Sequence, residues 1–126
     1  MEALRIPATP ATPEVNFDAE AGLMTLNGES YPENAFEFFR PLLKWTESFL
    51  QGGDQSVKVE LALSYLNTSS IKSLMDFLDL LEAAHRRARP ITVTWSYAQD
   101  NERALEMIEE FKEEVTLPFF ILAVPV

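Results

Sequence analysis

Cysteine is absent from the 126 residues, which excludes disulfides, zinc–thiolate sites and thiol catalysis. Glycine occurs only at positions 22, 28, 52 and 53, and none of these falls at a strand-to-helix turn. A glycine-rich phosphate loop is therefore missing, and nucleotide binding of that kind is excluded. Basic residues are scarce: 10 Lys and Arg stand against 20 Asp and Glu, for a net charge of −10. Nucleic-acid binding needs clustered cations to displace counterions, and an anionic membrane would repel this chain. No apolar run approaches the roughly 20 residues of a membrane helix, and the N-terminus lacks the basic-then-apolar order of a signal peptide. A cytoplasmic protein with no direct membrane insertion is expected. Histidine occurs once, at position 85.

What remains is an apolar fraction of 47%, enough for a core, in a length that suits a single domain over 1–126. Pro7, Pro10 and Pro13 mark residues 1–13 as an extended, weakly packed arm. Val15–Phe17 and Leu23–Leu26 flank a turn at Gly22 and read as a hairpin. Ser30 and Glu33 fit a capping box, which predicts a helix beginning there. Phe36, Phe39, Leu42, Leu43, Thr46, Phe49 and Leu50 follow at helical spacing, with Pro41 expected to kink or split the helix and Gly52–Gly53 to end it. Val57, Val59, Leu61 and Leu63 alternate with polar or small residues as a strand does.

Asn67–Ser70 then caps a second helix, whose buried face is read as Ile71, Leu74, Met75, Leu78 and Leu81. Arg86, Arg87 and Arg89 gather at its C-terminus, where cations suit the dipole, and Pro90 stops it. Ile91–Trp95 is a β-branched strand. Asp100 or Asn101 caps a third helix with the stripe Ala104, Ile108, Phe111 and Val115, and Phe119–Val124 is a last strand. The order β-β-α-β-α-β-α-β predicts an α/β fold, a mixed sheet with parallel neighbours and helices between them.

Few residues carry chemistry. A hydroxyl nucleophile needs an adjacent base, and His85 lies at the far end of the second helix, roughly 25 Å from Thr68 at 1.5 Å per residue. An enzyme built on Thr68 or its neighbours is thereby excluded within one chain, and no cofactor motif is present. Residues 100–114 hold seven acids against Arg103 and Lys112. They match no coordination loop, so they read as a solvated face or a docking face for a basic partner. Trp45 and Trp95 have the spacing of core residues.

The most informative stretch is Asn67-Thr68-Ser69-Ser70. One such residue suffices to cap a helix, and four stand in a row. The same hydroxyls are placed where a phosphate would meet free N–H groups and the positive end of the dipole. Both uses are open on chemistry alone.

The strand–hydroxyl–helix arrangement is similar to the STAS domain of anti-sigma-factor antagonists, and the element order matches that fold. More closely, Ser30-Tyr31-Pro32-Glu33-Asn34-Ala35, Tyr65-Leu66-Asn67-Thr68-Ser69-Ser70-Ile71-Lys72 and Asn101-Glu102-Arg103 resemble the SiaC family of STAS-like regulatory phosphoproteins. The resemblance extends from about Ile6 to the last strand. It implies a non-enzymatic switch without cofactor or metal. A SiaB-type protein kinase would phosphorylate Thr68 and a PP2C-type (SiaA-type) phosphatase would reverse this. The unphosphorylated form would activate a SiaD-type diguanylate cyclase, raising cyclic di-GMP and promoting biofilm. Asn67, Ser69, Ser70, Lys72 and Asp76, nearest in sequence to Thr68, are the first choices for partner contact. Ile71 stands where ordinary STAS domains usually have Gly, which weakens an anti-sigma partner more than it weakens the switch itself; an anti-sigma-factor antagonist in a partner-switching sigma-factor pathway is the alternative reading.

Overall fold

Alternation of apolar side chains along the strands builds one buried sheet face. In the computed structural model, which describes residues 1–126, β1 (Leu4–Ile6), β2 (Glu14–Asp18), β3 (Leu23–Ser30), β4 (Val57–Leu66), β5 (Ile91–Ala98) and β6 (Phe119–Val124) form a six-stranded sheet in sequence order. The β1–β2 and β2–β3 pairs are antiparallel, and β3–β4, β4–β5 and β5–β6 are parallel. Each parallel link is bridged by a helix, α1 (Ala35–Gln51), α2 (Thr68–Arg86) and α3 (Glu102–Glu113) in turn. The predicted order is thus found, preceded by one additional short strand.

Register shows where the core lies. Phe17, Met24, Val59, Val93 and Phe119 make one row across the sheet, and Val15, Leu26, Leu61, Trp95 and Ile121 the next. Trp45 of α1 and Phe77 of α2 pack on Phe17, and Phe111 of α3 packs on Trp95. All three helices therefore cover the same face. The opposite face stays open and carries the row Asn16, Thr25, Glu60, Thr94 and Phe120.

Several local expectations change. The Pro-rich N-terminus is docked: Leu4, Arg5 and Ile6 pair with Phe17, Asn16 and Val15, and the Trp45 indole donates to the Glu2 carbonyl at 2.8 Å. Pro7, Pro10 and Pro13 flank β1 without interrupting it. Ser30 does not cap α1. It ends β3, paired with Leu66, because the residue before Pro32 is held extended. Asn34 caps instead, accepting from the Glu37 N–H at 3.1 Å. Pro41 does not split α1, which runs unbroken to Gln51. Pro41 is exposed, so the Glu37 carbonyl it leaves unbonded faces water. Gly22 closes the β2–β3 turn at φ +64, where a Cβ would stand 2.6 Å from the Ser56 carbonyl oxygen.

Two buried ionic side chains hold loops. Arg89 turns away from the α2 terminus and donates to the carbonyls of Gln55, Gly52 and Gly53 at 2.7, 3.0 and 3.0 Å, beneath the Phe49 ring. Its side chain satisfies the loop that follows α1, which lies within reach, while its backbone N–H donates to the Ala84 carbonyl in the last turn of α2 at 3.0 Å. Arg86 remains at the α2 end and pairs with Glu82. Glu82 accepts from the Thr116 and Leu117 N–H groups, the Thr116 hydroxyl and Arg86, pinning the α3–β6 loop to α2. Burial alone pushes this carboxyl up. The hydrogen bonds overcome that and hold it at about 2, below the ordinary 4.5.

Because the folded value is the lower one, the ionised Glu82 stabilises the fold fully above pH 4.5, and that contribution is lost as pH falls towards 2. Glu82→Gln is expected to cost about 3 kcal/mol at neutral pH, with the gap to the parent protein narrowing below pH 4.5. Urea unfolding of both proteins at neutral and acid pH measures this, and equal midpoints at neutral pH would contradict it.

Candidate functional site

The β4–α2 junction is built by side chains that close on one another. Asn67 is the N-cap residue of α2, and its Oδ1 accepts from the Ser70 N–H at 3.0 Å and weakly from the Ser69 hydroxyl at 3.4 Å. Its Nδ2 donates to the Pro32 carbonyl at 3.2 Å, and its own N–H donates to the Ser30 carbonyl at 2.9 Å. The Ser70 and Ser30 hydroxyls meet at 2.7 Å, both with no exposed surface. The cap therefore ties α2 to the end of β3 and the approach to α1.

Thr68 is the exception among the four polar residues. It is the first residue of α2, it is exposed, and its hydroxyl makes no hydrogen bond within the protein. The N–H groups of a first helical turn have no intrahelical acceptor. The Ser70 N–H is taken by Asn67, which leaves those of Thr68 and Ser69 near the free hydroxyl. Lys72, one turn on, lies 3.5 Å from Asp76, and both are exposed enough for this to be a weak pair.

From Thr68 an open groove of about 510 Å³ runs between α2 and α3. Ile71, Met75, Met107 and Phe111 supply its apolar surface, and Lys72, Asp76, Asp79, Glu110 and Glu114 its charged edge. This revises the predicted face of α2. Its buried stripe is Ser70, Ser73, Leu74, Phe77, Leu78, Leu81 and Ala84. Ile71, 40% exposed, and Met75, half-buried, lie at the flank. The stripe begins with two serines because the cap turns Ser70 inward, and apolar character alone points one position too far round the helix.

Of the residues singled out in the sequence, Thr68, Lys72 and Asp76 converge on the groove. Asn67 and Ser70 are committed to the cap, and Ser70 has no surface to offer a partner. Exposed apolar side chains that sequence pattern does not reveal lie on segments meeting here. Tyr31 and Tyr65 pack 6.1 Å apart beside the cap, and Phe36 opens α1. Phe36 sits on the solvent side, although spacing placed it in the α1 stripe.

Residues 6–124 match the SiaC family of regulatory phosphoproteins. The chain belongs to that family. An uncharacterized protein of Pseudomonas aeruginosa strain UCBPP-PA14 is 47% identical over 123 residues, covering 98% of each chain. The crystal structure of apo-SiaC from Pseudomonas aeruginosa superposes with a TM-score of 0.92 at 46% identity, over 98% of this chain and 100% of that one. A further SiaC structure from that organism, in complex with the diguanylate cyclase SiaD and described as its activator, gives 0.93 at 47% identity, over 96% and 99%. SiaC-family membership makes this chain a regulatory phosphoprotein, not an enzyme.

The cap geometry predicts a sharp order of stabilities. Ser70→Ala leaves the buried Ser30 hydroxyl unpartnered and is expected to cost about 1–3 kcal/mol. Asn67→Ala is expected to cost about 1 kcal/mol or more, and Thr68→Ala less than about 0.5 kcal/mol. Denaturant unfolding ranks the three, and a Thr68→Ala loss equal to that of Asn67→Ala would contradict the assignment of Thr68 as structurally idle.

Proposed function

We propose that this protein is a cytoplasmic phospho-regulated adaptor. With Thr68 unmodified it binds and activates a diguanylate cyclase, raising cyclic di-GMP and promoting biofilm. A SiaB-type protein kinase phosphorylates Thr68 and disables that form, and a PP2C-type (SiaA-type) phosphatase restores it. The observation that carries this reading is a free hydroxyl at the lip of an apolar groove, on a helix end fixed by its neighbours. The cyclase complex of the Pseudomonas aeruginosa SiaC relative supports the choice of partner.

The physics of the switch is electrostatic. A cyclase segment seated in the groove buries Ile71, Met75, Met107 and Phe111, and its basic residues face the acids of α2 and α3. Those acids begin at Asp76, about 12 Å along the helix from Thr68. Lys72 keeps a partner's cations away from the nearer end. A phosphate on Thr68 adds about −1.5 to −2 charges at that end. Docking would then bury it without a compensating cation from the partner, which is expensive. The free form loses nothing comparable, because water, the first-turn N–H groups and Lys72 all stabilise the phosphate. A coupling of roughly 3 kcal/mol, a little over two decades in affinity, is enough.

Calorimetric titration of the cyclase with unmodified protein and with protein verified by mass spectrometry as phosphorylated at Thr68 tests this. At least about a hundredfold loss of affinity is expected, together with loss of cyclase activation, while Thr68→Ala binds normally and no longer responds to the kinase. Equal affinity of the two forms would overturn the proposal.

A further inference from the structure

Eight large apolar side chains are exposed, and leaving out Met1 and Val126 they fall into two groups. Tyr31, Tyr65 and Ile71 lie on the segments that form the α2 cap, and Phe36 stands in the first turn of α1. Phe120 and Leu122, 57% and 51% exposed, belong to β6 and have no part in that site. They project from the open face of the sheet, beside Thr94 and Ser96 of β5.

β6 is also an unpaired sheet edge. The Val93 N–H donates to the Pro118 carbonyl and the Gln99 N–H to the Val124 carbonyl. In a parallel ladder this assigns Phe120, Leu122 and Val124 to the β5 side and leaves the N–H and C=O groups of Phe119, Ile121 and Ala123 facing outwards. Edge strands are ordinarily blunted by charge, proline or shortness. The other edge, β1, is three residues long with Arg5 at its centre. β6 has none of these devices within Phe119–Val124, and no ionisable residue occurs anywhere from Val115 to Val126.

We infer that β6 pairs with β6 of a second copy of this chain, antiparallel about a two-fold axis through Ile121, making one continuous sheet of both protomers. Charge favours a second copy as the occupant. Two chains of net charge −10 repel, and they approach most easily through a neutral edge. Register favours it as well. Centring on Ile121 places the outward-facing residues Phe119, Ile121 and Ala123 opposite Ala123, Ile121 and Phe119 of the second copy, so the free N–H and C=O groups pair. Phe120 then faces Leu122 of the other copy in the non-hydrogen-bonded positions, where side chains approach most closely. The four exposed side chains become one apolar stripe on the open face. The contact is self-complementary, as a two-fold interface requires, and it leaves Thr68 and the α2–α3 groove clear.

Light scattering coupled to size exclusion, on unmodified full-length protein across the micromolar range, is the test. A mass twice the 14.3 kDa of one chain is expected, with the dimer strengthened by added salt because charge repulsion is screened. Leu122→Lys alters an exposed side chain, so it is expected to give a cooperatively folded monomer whose melting temperature falls below the parent's only by the increment that dimerisation supplies. Hydrogen exchange adds a site-specific readout: the Phe119, Ile121 and Ala123 amides are protected in the dimer and exchange quickly in the Leu122→Lys protein. A monomer at all concentrations and salts overturns the inference. So does a dimer that survives both Leu122→Lys and Phe120→Lys, which would lie on another surface. A monomer whose cyclase binding is abolished by Leu122→Lys also overturns it, by assigning the edge to the cyclase.

Discussion

The side chain of Asn67 bonds in two directions at once, and the arrangement of the site follows from that. Its oxygen accepts from the first turn of α2 and its nitrogen donates to the Pro32 carbonyl ahead of α1. Directly beneath, the Ser30 and Ser70 hydroxyls form a buried pair between β3 and α2. A buried hydroxyl pair is expensive to break from one side, because the survivor keeps its desolvation cost without a partner. The start of α2 is therefore fixed at a chosen height and angle relative to the sheet. With the capping done by Asn67 and the burial by Ser70, Thr68 has no structural duty.

That division of labour explains how a modifiable residue can sit in the first turn of a helix without endangering the fold. A phosphate on a buried or bonded hydroxyl would disrupt packing. On Thr68 it changes the charge at the mouth of a groove and leaves the core rows from Phe17 to Phe119 and from Val15 to Ile121 untouched. The same economy holds across the molecule. Arg89 and Glu82 are buried and ionic, and both fasten loops: Glu82 is satisfied by loop backbone and neighbouring groups, and Arg89 donates through Nε and Nη1 while its buried Nη2 has no partner.

Elements with a single strong periodic signal were legible in the sequence. β4 declared itself through Val57, Val59, Leu61 and Leu63, and α3 through Ala104, Ile108 and Phe111 with Asn101 as cap. The order of strands and helices followed from them. Features that depend on long-range partners were not legible. β1 is too short to show a pattern and exists because β2 offers it an edge. Ser30 looked like a cap because its bond to Ser70 spans forty positions. Ile71 and Met75 looked like core residues because nothing local distinguishes an apolar side chain in the stripe from one at its flank. The groove beside Thr68 was hidden for that reason, since half of it belongs to α3. The hydroxyl row itself was visible. Which hydroxyl was free required the geometry.

The central claim is that Thr68 can take a phosphate while the cap beneath it stays closed, so that regulation acts through surface charge and not by unfolding α2. Amide hydrogen exchange of Ser70 and Ile71, compared between the unmodified protein and the protein phosphorylated at Thr68, tests this most directly. The account predicts unchanged protection at both amides, which donate to the Asn67 side chain and carbonyl. Fast exchange of both after phosphorylation would show that the first turn has opened, and would contradict it.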